Sequence, residues 1–103
     1  MEAILIVEDD ITLGIMLKTW LSKKGFDVST VSNIARAKKH IDNQPVDLIL
    51  SDLRLPDYDG IDLLKWINEK CLNIPLIIMT GYADIQSAVL AMKLGARDYI
   101  SKP

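Results

Sequence analysis

The chain has 103 residues, half of them hydrophobic and a quarter charged, with a formal net charge of -2. That is room for one domain around a single core, and so small a charge with few aromatics points away from a nucleic-acid surface or an anionic membrane. The lone Cys71 excludes an internal disulfide or a multi-cysteine metal site and suits a reducing cytoplasm, and no apolar run approaches the ~20 residues of a membrane span.

Met1-Glu2-Ala3-Ile4 lacks the basic and apolar regions of a signal peptide. Ala3 to Val7 is an unbroken apolar run ending in Glu8-Asp9-Asp10, which predicts a strand buried on both faces. Leu13, Leu17, Trp20, Leu21 and Lys24 follow at helical spacing, with Asp10 as N-cap and Gly25 as the stop. Phe26 to Val31 predicts a more polar strand near an edge. Ile34, Ala37 and Ile41 mark a second helix, broken before Pro45. Val46 to Ser51 is another buried strand, and it ends in Asp52. Pro56 and Gly60 punctuate a loop over residues 53–60. Ile61, Leu64, Ile67 and Asn68 predict a third helix, and Pro75 introduces a fourth strand, Leu76 to Met79, ending in Thr80-Gly81. Ile85, Ala88, Val89 and Met92 form the apolar face of a fourth helix, with Gly95 just past its end. Arg97 to Ser101 predicts a short fifth strand before Lys102-Pro103.

Strands and helices that alternate at this length favour an α/β fold, a doubly wound parallel sheet with right-handed crossovers and helices on both faces. In such sheets ligands bind outside the carboxyl ends of the strands. The polar residues that end the apolar runs fall there: Glu8 and Asp9, Asp52, Thr80, and Lys102. Carboxylates crowded into one crevice raise one another's pKa. A divalent cation resolves the conflict, and a donor set of oxygen alone suits Mg²⁺. A carboxylate can also attack a phosphoryl group and form an aspartyl phosphate. Catalysis is then positioning and charge neutralisation. Lys102 would supply a point charge and Thr80 a hydrogen-bond donor.

Four segments carry a resemblance: Ile6-Val7-Glu8-Asp9-Asp10, Ser51 to Gly60, Met79-Thr80-Gly81-Tyr82-Ala83, and Asp98 to Pro103. Together, in this order and spacing, they resemble the receiver domains of bacterial two-component response regulators, from residue 4 to the end of the chain. The resemblance implies a flavodoxin-like sheet of five strands in the order 2-1-3-4-5. It implies Asp52 as phosphoacceptor; Glu8, Asp9, Asp52 and the Arg54 backbone carbonyl around Mg²⁺; Thr80 and Lys102 on the phosphoryl group; and Tyr99 as an aromatic switch. Arg54 and Tyr82 would flank the site. The phosphoryl donor would be a sensor histidine kinase or a histidine phosphotransfer protein, in the cytoplasm. The face of the fourth helix and fifth strand would carry the signal and is the candidate homodimer contact. Family members continue with a fifth helix, so residues 1–103 are expected to be a receiver truncated after the fifth strand. The output domain, with any contact to DNA, would lie beyond residue 103. The style of residues 79–84 and 88–99 resembles receivers of AAA+ or helix-turn-helix transcriptional regulators.

Plainer roles suit other residues. Pro56 and Gly60 shape the loop beside Asp52. His40 reads as a helix-surface residue, Trp20 and Trp66 as packing residues, and Cys71 as a position near a helix end. The Lys102-Pro103 bond is usually cis in the family. Two rival functions remain open. One is an interaction module that never takes phosphate, against which the intact Asp9, Asp52, Thr80 and Lys102 set stands. The other is a Mg²⁺-dependent phosphohydrolase. Those enzymes place a second acid where this chain has Arg54.

Overall fold

The structure, a computed structural model, describes residues 1–81 and 85–102. Its elements run β1 (Ala3–Val7), α1 (Ile11–Lys23), β2 (Asp27–Val31), α2 (Ile34–Asn43), β3 (Leu48–Asp52), α3 (Gly60–Glu69), β4 (Leu76–Thr80), α4 (Ile85–Lys93) and β5 (Asp98–Ser101). The five strands form one sheet in the order β2-β1-β3-β4-β5, and every neighbouring pair is parallel. Fold class and strand order are those the sequence implied.

Side chains alternate across a strand, and β1 uses both faces. Leu5 and Val7 enter the larger core, with Ile34 and Ala37 of α2, Leu63, Leu64 and Ile67 of α3, and Ala91 of α4. Ile4 and Ile6 enter a smaller core with Leu21 and Val28, beside Leu17, Phe26, Leu48 and Leu50. The β1 apolar run is unbroken because both faces are covered.

The helix starts are written locally. Asp10 caps α1 by accepting from Leu13 N, and Asn33 caps α2 by accepting from Arg36 N. Asp59 and Asp62 form a reciprocal capping box at α3. Gly25 and Gly95 take the left-handed conformation after α1 and α4, at φ 98° and 95°.

Three expectations change. The apolar face read on α4 is covered only at Ala88, which is half-buried, while Ile85 is 81% exposed, Val89 48% and Met92 49%. The helix instead seats Ala91, fully buried, against the sheet. A methyl group lets the helix axis come close, and the bulky stripe is turned away. Trp20 does not pack into a core. It is 56% exposed, with the Lys24 ammonium 4.8 Å from its ring. Val46 and Phe26 pack against the cores but precede β3 and β2. Trp66 is half-buried against the larger core, as expected of a packing residue.

Gly60 is a steric necessity. A Cβ there would lie 2.6 Å from the Asp52 carbonyl oxygen and 2.9 Å from Ile78 Cδ1. Gly14, inside α1, has nothing within 4 Å of the equivalent position. The two glycines should therefore respond oppositely to alanine. Gly60→Ala is expected to lose about 1–3 kcal/mol. Gly14→Ala is expected to gain roughly 0.5–1 kcal/mol through helix propensity. Urea unfolding of both variants measures the two signs.

Candidate functional site

Four of the five strands, all but β2, deliver a polar residue to the carboxyl edge. Glu8 follows β1, Asp52 ends β3, Thr80 ends β4 and Lys102 follows β5. Glu8, Asp52 and Thr80 are buried, at 4%, 6% and 2% exposure, whereas Asp9 is open to solvent. Backbone hydrogen bonds hold these ends in place. Glu8 N donates to Val31 O at 3.0 Å, Leu53 N to Met79 O at 3.0 Å and Lys102 N to Thr80 O at 2.9 Å.

The Lys102 ammonium sits between two acids. Its Nζ lies 2.8 Å from Asp52 Oδ2, with hydrogen-bond geometry, and 2.6 Å from Glu8 Oε1. The contact with Glu8 is a close, partly buried ion pair. Glu8 Oε2 accepts from Asp10 N at 3.1 Å. Burial raises the Glu8 pKa, and the Asp52 charge adds to that, against the pull of Lys102 and the Asp10 N–H. For Lys102, burial disfavours the ammonium, but Asp52 and Glu8 outweigh it and its pKa lies above the ordinary lysine value.

Glu8, Asp9 and Asp52 each place a carboxylate oxygen within 4.8 Å of the others. Three acids with one ammonium leave surplus negative charge in a partly dry crevice. Their donor atoms are all oxygen, the set that hard divalent cations take. Neither His40, on α2, nor Cys71, exposed beyond α3, adds a softer ligand. Asp10 stands outside this group as the helix cap that the sequence indicated.

The remaining expected residues are placed as follows. Arg54 lies in the loop after β3, where it pairs with Asp59 in an isolated antiparallel bridge. Tyr99 is half-buried against the larger core, opposite Ile78 in the sheet register. Tyr82 and the Lys102-Pro103 bond lie outside the described residues.

One residue that sequence reasoning passed over stands beside the site. Asp57, at the tip of the loop after β3, accepts from Ile34 N and Ala35 N, both at 3.0 Å, at the start of α2. It also accepts from Tyr58 N at 2.9 Å. No local pattern announces this cap, because it lies 22–23 residues along the chain from the helix it serves.

A model of the response regulator receiver domain matches residues 4–103. The chain belongs to the response regulator receiver domain family. Among its relatives is the transcriptional regulatory protein ZraR of Escherichia coli, 41% identical over 102 residues, which cover 97% of this chain and 23% of that protein. The non-phosphorylated HemR receiver domain from Leptospira biflexa superposes with a TM-score of 0.93 at 36% identity, over 100% of this chain and 83% of that one. The response regulator TrrA from Thermotoga maritima, solved in complex with Mg(2+)-BeF, gives a TM-score of 0.89 at 26% identity, over 100% and 88%. The chain spans 21% to 46% of the length of curated relatives it matches. No described helix is long and apolar enough to cross a membrane.

The Asp57 cap has a pH signature. Burial favours the protonated acid, but the N–H donors of Ile34, Ala35 and Tyr58 outweigh it and lower the pKa from 3.8. Between the folded value and 3.8 the unfolded chain binds more protons, so stability rises with pH through that window. The stability gap between the wild type and Asp57→Asn is expected to be constant above this window and to shrink as pH falls through it. Urea titrations at a series of acidic pH values measure it.

Proposed function

We propose that the chain is a phosphorylation-dependent switch that accepts a phosphoryl group on Asp52. The observation that carries this reading is the shared cation. The Lys102 ammonium lies 2.8 Å from Asp52 and 2.6 Å from Glu8, with the Asp9 carboxylate in the same cluster. The donor would be a sensor histidine kinase or a histidine phosphotransfer protein. An Asp52 carboxylate oxygen attacks phosphorus, a P–O bond forms, and the P–N bond to the donor imidazole breaks, its electron pair staying on nitrogen. Mg²⁺, held by Asp9, Asp52 and the Arg54 carbonyl with Glu8 assisting, would neutralise charge on the phosphoryl oxygens. That TrrA, a response regulator similar in fold, was solved in complex with Mg(2+)-BeF supports the choice of that cation.

Lys102 holds Asp52 in place before transfer and follows the phosphoryl oxygens after it. Thr80, buried at the end of β4, donates its hydroxyl to the same group. Tyr99 then packs further inward. The side of α4 and β5 that reports this exposes Ile85, Val89, Met92 and Ile100, an apolar surface suited to an output domain or a second copy. Full conversion between the two states takes ~5 kcal/mol of differential stabilisation. Water attack on phospho-Asp52 resets the switch, and Arg54, two residues after Asp52, is placed in sequence to tune its lifetime. The chain thus acts on itself and turns over no outside substrate. Output at DNA would pass through a further domain of a longer regulator, as in the transcriptional relatives.

Incubation with Mg²⁺ and acetyl phosphate is expected to add about 80 Da to the intact mass of the wild type and nothing to Asp52→Ala. A folded wild type with no adduct would overturn the reading. Charge balance gives a second expectation. Lys102→Met leaves Glu8 and Asp52 facing each other without their cation, which should cost roughly 3 kcal/mol in metal-free buffer. Added Mg²⁺ should recover more stability in that variant than in the wild type, because the ammonium no longer competes. Thermal unfolding with and without Mg²⁺ checks both signs.

A further inference from the structure

The two halves of the acidic edge are fastened together by a contact outside it. One half is Glu8 and Asp9, after β1. The other is Asp52 and the loop that carries Arg54. That loop is closed at its base by Gly60 N donating to Leu53 O at 2.8 Å and by the Arg54–Asp59 bridge. Its tip reaches away from the site to the start of α2, where Asp57 accepts from Ile34 N and Ala35 N. Three residues before Ile34, Val31 O accepts from Glu8 N at 3.0 Å. Hydrogen bonds and chain therefore close a ring: Glu8, Val31, the start of α2, Asp57, the loop with Arg54, and Asp52. A second tie reinforces the tip, since the Lys38 ammonium of α2 lies 5.7 Å from the Tyr58 ring and 5.6 Å from the Trp66 ring.

We propose that Asp57 is a positioning residue for the metal site: by tying its loop to the start of α2, it sets the spacing between the Arg54 carbonyl and the Glu8–Asp9 pair. This rests on the Mg²⁺ reading above. Outer groups that orient metal ligands commonly change affinity tenfold or more when removed. The Asp57 carboxylate accepts from backbone N–H groups of Ile34, Ala35 and Tyr58, so its effect passes through the backbone of residues 54–57. Its two N–H partners on α2 are distinct from the one that Asn33 serves, because Asn33 accepts from Arg36 N at 2.8 Å. Asn33→Ala therefore weakens the same helix end without releasing the loop.

The test is calorimetric titration of Mg²⁺ alone into the wild type, Asp57→Ala and Asn33→Ala, with Tm recorded for each. Asp57→Ala is expected to weaken Mg²⁺ binding roughly tenfold, while Asn33→Ala stays within about twofold of the wild type despite a lowered Tm. Asp57→Asn, whose amide oxygen still accepts, should fall between, and it replaces Asp57→Ala if the latter fails to fold. Mg²⁺ binding by the wild type with the same constant in the Asp57 variants, or an equal loss in Asn33→Ala, overturns this inference alone. A folded wild type that binds no Mg²⁺ overturns the metal reading together with it.

Discussion

The Lys102 ammonium between the buried carboxylates of Glu8 and Asp52 is the contact around which the functional edge is organised. Acids taken out of water are unfavourable unless compensated, and here one lysine compensates two. The arrangement depends on β5 running parallel to β4, because the Lys102 backbone is pinned to Thr80 O. It also depends on β1 and β3 being neighbours, which puts Glu8 beside Asp52 at the ends of paired strands. A sheet that parted β1 from β3 would separate Glu8 from Asp52. The same balance makes the site responsive, since an added anion or cation changes which partner the ammonium prefers.

The two cores are unequal in size. The larger one, under α2, α3 and α4, holds the loops after β1 and β3 against a firm base. The smaller one leaves Leu48 and Leu50 half-buried beside α1. On the β5 side Tyr99 is half-buried, Ile100 is 40% exposed, and α4 turns Ile85, Val89 and Met92 outward while Ala91 is fully buried.

Close packing governs the loop beside Asp52. Gly60 brings the first turn of α3 against the Asp52 carbonyl, where a side chain has no room. Ser51 adds a hydrogen bond from its hydroxyl to that same carbonyl at 2.9 Å. With Asp57 anchoring the far end of the loop, the segment between is bounded on both sides. Preorganisation of this kind is how oxygen ligands keep a fixed spacing before a cation arrives.

Apolar runs of strand length, helix caps and the breakers Gly25, Pro56, Gly60 and Gly95 are local signals, and the alternation of elements was legible from them. So were Glu8, Asp9, Asp52, Thr80 and Lys102, because a parallel sheet has only one edge at which strand-ending polar residues can meet. The inner face of α4 was not legible. Its sequence reads as one apolar face of Ile85, Ala88, Val89 and Met92, and the close approach allowed by Ala91 turned a different side to the sheet. Trp20 looked like core by composition, yet its position on α1 turned it to solvent. Asp57 was hidden because its partners belong to a helix far earlier in the chain, and nothing in Pro56-Asp57-Tyr58 says which backbone it will cap. The sequence by itself determined the elements and the identity of the charged edge, since both follow from short-range pattern and strand polarity. Only the tertiary structure decided which acid shares Lys102, which face of α4 is buried and what holds the loop, because each depends on distances between segments that the chain order leaves free.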